Sequence, residues 1–152
     1  MKASAYTFYK GKAALRVDMI PAKEQINENG YAETIPGRVL LELCAAKGKR
    51  SYDWENKISF TLSPLEVAQL EVNRLSKQKT EFFHDPNMLS KQQGQITKSF
   101  RMDKTETGGY NISITEKNNG ELKTVSITLS PAEYYLFRML IEKGVLKVLA
   151  WD

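Results

Sequence analysis

The chain has 152 residues, enough for one domain with a sizeable core. Hydrophobic residues make up 41% and charged residues 26%, ordinary values for a soluble globular protein, and no apolar run approaches the roughly 20 residues needed to cross a bilayer. The 22 Lys and Arg against 18 Asp and Glu leave a formal charge of +4, which favours an anionic partner, and the single cysteine, Cys44, excludes an internal disulfide.

Residues 6–19 read as a long strand, with Tyr9, Ala13, Leu15 and Val17 on one face and Tyr6, Phe8, Lys10, Lys12, Ala14 and Arg16 on the other. Pro21, Gly30, Pro36 and Gly37 mark 21–37 as a loop, with a short strand near 31–35. Residues 38–46 are a nearly continuous apolar run, the pattern of a buried strand, and Cys44 within it reads as a small buried hydrophobe. Lys47-Gly48-Lys49-Arg50 is a basic hairpin turn. Residues 51–62 alternate, with Tyr52, Trp54, Ile58, Phe60 and Leu62 on one side, and lead into a helix over 64–76. The second half predicts strands at 81–84, 95–103, 110–116 and 122–129. Between them lie a polar loop at 87–94, a turn at 107–109 and an Asn118-Asn119-Gly120 hairpin. A second helix follows over 131–148.

One phrase occurs twice. Residues 58–66 read I-S-F-T-L-S-P-L-E and residues 125–133 read V-S-I-T-L-S-P-A-E, 67 residues apart. Each predicts a strand feeding a helix, with Ser63 or Ser130 as N-cap, Pro64 or Pro131 at the first helical position, and Glu66 or Glu133 closing a capping box. The expectation is a single domain over 1–152 built from two related units, about 6–76 and 81–150. The second helix is apolar nearly all round, since only Arg138 is polar between Tyr134 and Ile141. A helix packed on one sheet needs only a stripe. Either the helix is wrapped within its own domain or it meets other subunits; with two helices available to cover it, a subunit interface through Tyr134, Phe137, Leu140 and Ile141 is the favoured expectation.

Enzyme chemistry is hard to place. The single histidine, His84, and single cysteine offer no zinc site, and neither a phosphate-cradling P-loop nor a dinucleotide-binding glycine loop occurs. His84 and Asp85 are neighbours on a strand and so point to opposite faces, which favours a structural or capping role over a catalytic pair. No metal and no cofactor are expected.

What the chain does carry is aromatic and basic residues interleaved on strands. The Tyr6, Phe8, Lys10, Lys12 and Arg16 face forms one group, with Tyr9 beside it on the other face, and Tyr52 and Trp54, just after the turn that ends at Arg50, form a second. Phe82 and Phe83 with Lys91, Lys98, Arg101 and Lys104 form a third. Single-stranded nucleic acid needs this combination, cations for phosphates and flat apolar faces for unpaired bases. Phe60 and Phe100 read as core. Tyr52 and Trp54 share a face with Ile58 and Phe60, and remain open between core and base stacking. For Lys10 and Lys12 the alternative is a solvated edge that blocks aggregation.

Tyr9 followed by Lys10-Gly11-Lys12-Ala13-Ala14-Leu15 resembles the K-G-K-A-A-L motif of the Whirly family of single-stranded-DNA-binding proteins. The resemblance extends to Tyr52-Asp53-Trp54-Glu55 with Leu62-Ser63-Pro64-Leu65-Glu66, to Glu81-Phe82-Phe83-His84-Asp85-Pro86, and to Ala150-Trp151-Asp152. It implies an α+β fold of two four-stranded antiparallel sheets packed across each other, each followed by a helix. It also implies homotetramers built through the helices, with DNA running along the sheets and between subunits, and it ties Lys10 and Lys12 to DNA binding and to higher assembly. The expected function is sequence-tolerant binding of single-stranded DNA in repair, recombination, replication or transcription regulation, without catalysis. The alternatives are an RNA-binding or annealing module of related fold, and a coactivator module whose basic edge meets an acidic protein. Met1-Lys2-Ala3-Ser4-Ala5 has no apolar signal core. A reducing compartment is expected; the setting is cytoplasmic or nucleoid-associated if the chain is a bacterial or phage relative, and the other reading is the mature domain of a longer protein.

Overall fold

The computed structural model describes residues 5–86 and 94–151. The first sheet is formed by β1 (Tyr6–Tyr9), β2 (Ala13–Ile20), β5 (Arg38–Gly48) and β7 (Ile58–Leu62), antiparallel in that order. A two-residue strand, β6 (Ser51–Tyr52), extends the free edge of β5 past a bulge between Ala46 and Gly48, so five strands take part rather than four. The second sheet is a meander of β8 (Thr80–His84), β9 (Ile96–Lys104), β10 (Tyr110–Asn118) and β11 (Glu121–Leu129). A separate hairpin of β3 (Lys23–Ile26) and β4 (Ala32–Ile35) is inserted between β2 and β5. Helices α1 (Pro64–Leu75) and α2 (Pro131–Val148) follow the last strand of each sheet.

The expected long strand over 6–19 is instead a hairpin. Its turn is Lys10-Gly11-Lys12, closed by the Lys10 amide on the Ala13 carbonyl at 2.9 Å. The cause lies in which residues face inward. Phe8 is buried on an even position, whereas Ala13, Leu15 and Val17 are buried on odd ones. A continuous strand would put these on opposite faces; folding back pairs Phe8 with Leu15 and buries both. The alternation over 51–62 is likewise broken, by a 3-10 turn at Trp54–Asn56 between β6 and β7. The expected 21–37 loop holds the exposed β3–β4 hairpin, whose tip is fixed by the Asn27 side chain accepting from the Asn29 and Tyr31 amides at 3.0 and 3.1 Å.

The inner faces of the two sheets share one core. Leu15, Leu41 and Phe60 from the first sheet meet Phe100, Ile112 and Ile114 from the second, all fully buried. Burying a Leu, Ile or Phe side chain contributes roughly 1.5–3 kcal/mol each. Two lysines pin the sheets together at their ends: Lys98 donates to the Ser59 carbonyl at 2.8 Å, and Lys123 to the Asn56 carbonyl.

Both helices start as their sequences require. Ser63 Oγ accepts from the Glu66 amide at 3.2 Å while Glu66 accepts from the Ser63 amide at 3.0 Å. Ser130 and Glu133 repeat this at 3.2 and 2.9 Å. Helix α2 lies against β2 and β5. Gly144 allows this approach, since a Cβ there would stand 3.3 Å from Met19 Sδ. The buried stripe of α2 is Tyr134, Phe137, Ile141, Gly144 and Val148, and Leu140 packs partly buried beside it. Three of the four residues expected at a subunit interface, Tyr134, Phe137 and Ile141, thus lie inside the chain's own core. The apolar residues that α2 leaves exposed are Tyr135, Met139 and Leu146, and α1 adds Leu65, Val72 and Leu75. Arg138 is not a free polar position but ties the helices together, 3.1 Å from Glu71 of α1.

Candidate nucleic-acid interface

The pairing of β2 with β5 sets two basic turns side by side. Ala13 is opposite Ala45, and the Ala46 amide donates to the Lys12 carbonyl at 2.9 Å, so Lys10-Gly11-Lys12 lies next to Lys47-Gly48-Lys49-Arg50. Tyr9 and Tyr52 stand between them with ring centroids 5.4 Å apart, and the Tyr52 hydroxyl donates to the Lys10 carbonyl at 2.6 Å. Tyr9 is 62% exposed. Lys12, Lys49 and Arg50 are exposed and form no ion pair among the described residues. Arg50 has a φ of 59°, a left-handed position that turns the chain sharply into β6.

This corner opens onto the outer face of the second sheet. One shallow hollow joins Tyr9, Lys10, Arg50 and Tyr52; the next shares Lys10 and Gly11 with it and adds Asn111, Ser126 and Thr128. From there a ladder of small polar groups crosses β10 and β11. Asn111 donates to Thr128 Oγ1 at 2.9 Å, the Ser113 and Ser126 hydroxyls lie 2.6 Å apart, and those of Thr115 and Thr124 lie 2.8 Å apart. Ser113, Thr115 and Thr124 then wall a third hollow, of about 680 Å³, together with Arg101 and Phe83. Phe83 is 65% exposed. The result is an open track of cations, two aromatic faces and hydroxyls. It suits an extended polyanion with flat bases.

Several residues expected here serve the fold instead, Phe8 among them, buried in the core beside Leu15 and against Phe137. Arg16 projects from the outer face of β2 but binds Glu42, its cross-strand partner, and lies 3.3 Å from Asp18. Glu42 is buried and also receives Lys57 at 2.6 Å. Burial alone would push its carboxyl up, but the bonds from Lys57 and Arg16 hold it below the ordinary carboxylate range. Lys98 is committed to the inter-sheet bond described above. Phe82 faces inward and stacks on Phe100, with centroids 5.7 Å apart. Trp54 is half-buried in the 3-10 turn beyond Tyr52. Arg101 lies on the outer face but is shared with Asp103 at 2.7 Å and Glu81 at 3.9 Å. Lys91 lies outside the described residues.

His84 performs the structural task expected of it. Its Nε2 is 2.8 Å from Glu66, the capping residue of α1, and its ring stacks on Phe60 at 4.2 Å. Among the described residues no group of three or more His, Cys, Asp or Glu could hold a metal ion, and no helix is long and apolar enough to cross a membrane. The hydroxyl ladder lies outside the residues the sequence singles out. Its signal is present in Asn111-x-Ser113-x-Thr115 and Thr124-x-Ser126-x-Thr128, an outer face with period two and no charge.

The model of a family described as Whirly transcription factor matches residues 8–140. The chain is 36% identical over 152 residues to the mitochondrial single-stranded DNA-binding protein WHY2 of Arabidopsis thaliana, covering 97% of this chain and 63% of that protein. It is 31% identical over 133 residues to the chloroplastic single-stranded DNA-binding protein WHY1 of Solanum tuberosum, covering 85% of this chain and 48% of that protein. The chain thus spans between about half and just under two thirds of these relatives. Its structure superposes on that of WHY1 from Arabidopsis thaliana with a TM-score of 0.87 and 26% identity, over 97% of this chain and 86% of the other. The plant transcriptional regulator PBF-2 gives a TM-score of 0.84 and 28% identity, over 97% and 83%.

Proposed function

This chain belongs to the Whirly family, and from that premise we propose that it binds single-stranded DNA with little regard to sequence. The observation that carries this reading is the corner where two basic turns flank the Tyr9–Tyr52 pair and open onto the hydroxyl-lined sheet. Lys12, Lys49 and Arg50 are the phosphate ligands. Each phosphate neutralised releases condensed counterions, so affinity falls as salt rises. Tyr9 and Phe83 offer faces on which bases stack, for roughly 1–3 kcal/mol per base, and every base has such a face. The Ser and Thr ladder donates and accepts equally well, so it accommodates base edges and sugars without selecting one base. The site holds and shields an exposed strand, as repair, recombination, replication or transcription regulation requires, and turns nothing over.

The same proposal includes assembly. Exposed Leu65, Val72 and Leu75 on α1 recur at one-face spacing, and Tyr135 and Met139 do so on α2. An apolar helical surface of this kind supports a homotetramer built through the helices, with the sheets left outward for DNA.

The test is substitution at the corner. Lys12→Ala lowers affinity for every single-stranded sequence and reduces the salt slope by about 0.7. Tyr9→Ala lowers affinity with the slope unchanged. Unaltered binding by both variants refutes the placement of the site.

A further inference from the structure

We propose that Glu133, the capping residue of α2, sets the affinity of the single-stranded DNA site by competing with phosphate for Lys10. The inference rests on the reading of the corner as that site. Lys10 Nζ donates to Glu133 Oε1 at 2.6 Å, although the two residues are 123 positions apart. Of the basic residues in the two turns, Lys10 is the one held by a carboxylate among the described ion pairs. The pair is about one third exposed, 34% for Lys10 and 30% for Glu133, so it borders the solvent from which a phosphate approaches.

Glu133 cannot follow Lys10 outward. The same Oε1 accepts the Ser130 amide at 2.9 Å, and Ser130 Oγ accepts the Glu133 amide, so the carboxylate is fixed at the start of α2. Burial pushes its carboxyl up, but the bonds from Lys10 and Ser130 outweigh this and keep it ionised at neutral pH. A phosphate approaching Lys10 therefore meets a fixed negative charge. It must either displace Glu133 from the ammonium or bind beside it. In both cases Glu133 lowers affinity and masks one cation from the salt dependence. The other capping box serves as an internal comparison. Glu66 there is bound by His84 at 2.8 Å and lies 3.9 Å from Arg38, not by a cation of the corner.

Glu133→Gln tests the competition with little change to the helix, because glutamine at this position also completes a capping box. Binding of a fluorescent oligothymidylate is measured by anisotropy across a salt series, for the unsubstituted protein, Glu133→Gln, Glu66→Gln, Lys10→Ala and the Lys10→Ala/Glu133→Gln pair. The expected result is binding about twofold to fivefold tighter for Glu133→Gln. Its salt slope should steepen by about 0.7. Glu66→Gln, with the same change of net charge, should match the unsubstituted protein, and Lys10→Ala should abolish the gain from Glu133→Gln. Glu133→Asp, which keeps the charge but withdraws it from Lys10, should move affinity in the same direction if Glu133→Gln proves unstable. Equal or weaker binding by Glu133→Gln, or an equal gain from Glu66→Gln, overturns the inference while leaving the site in place. Failure of the unsubstituted protein to bind overturns the site itself and the inference with it.

Discussion

Arg16→Ala separates a structural cation from a DNA ligand. Arg16 and Glu42 are register partners on β2 and β5, and the Glu42 side chain is 6% exposed while that of Arg16 is 40% exposed. Removing the guanidinium leaves Glu42 Oε1 without its partner in a nearly dry site, with Lys57 still on the other oxygen at 2.6 Å. Breaking a fully buried pair costs roughly 3–5 kcal/mol. Retention of Lys57 and the wet outer side of Arg16 reduce this to about 2 kcal/mol. For a chain of this length that lowers Tm by about 4–8 °C. Glu42 has a depressed folded-state pKa, so its stabilisation is present above its unfolded value, near 4.3, and is lost as pH falls through the folded value. The Tm gap between variant and unsubstituted protein is therefore widest near neutral pH and closes in acid below about pH 4. Thermal melts by circular dichroism over that range, with anisotropy of a labelled single strand at neutral pH, read both properties. Affinity should stay within about twofold, because a charge already paired with carboxylates adds little to phosphate binding. An unchanged Tm together with a large loss of affinity would refute the assignment and return Arg16 to the DNA site.

Gly37→Ala should destabilise the fold by about 3 kcal/mol or more in urea titration, since a Cβ there would lie 1.8 Å from the Ile20 carbonyl oxygen. Wild-type stability would mean that this crossing relaxes freely. Phe82→Ala should cost about 2–3 kcal/mol of stability and leave DNA affinity unchanged, the reverse of Tyr9→Ala, because Phe82 packs on Phe100. Loss of affinity without loss of stability would place Phe82 in the DNA site. Tyr135→Glu combined with Met139→Glu should lower the mass seen by light scattering without unfolding the chain, as both side chains are exposed in one copy. An unchanged mass would remove this surface from the assembly.

The legible parts of the fold were those where local chemistry leaves one solution. Ser63-Pro64-x-Glu66 and Ser130-Pro131-x-Glu133 specify helix starts from four residues, and both form as written. Strands β9 to β11 alternate under the single demand of one buried face, and their bounds differ from expectation by a residue or two. The β1–β2 turn was hidden because Ala13 and Ala14 are both small and apolar, so a strand continuing through Lys10-Gly11-Lys12 looks as regular as one that folds back. The β3–β4 hairpin buries nothing and therefore has no periodicity to read. In the site, charge is visible in sequence but its partner is not. Arg16 and Lys98 were expected at phosphate because their acceptors, Glu42 and the Ser59 carbonyl, are 26 and 39 positions away. Phe82 and Phe83 are identical in type, and only the pairing of β8 with β9 turns the first inward onto Phe100 and the second outward.

The most direct test of the central claim is an anisotropy titration at two salt concentrations with a labelled single strand of about 32 nucleotides, its duplex and the matching RNA. Tighter binding to the single-stranded DNA than to the duplex, alike for different sequences and weakened by salt, is the result expected from a track of surface cations and exposed aromatic residues. Equal and salt-fragile binding to all three ligands would contradict it, because such binding needs only positive charge and makes no use of Tyr9, Phe83 or the hydroxyl ladder.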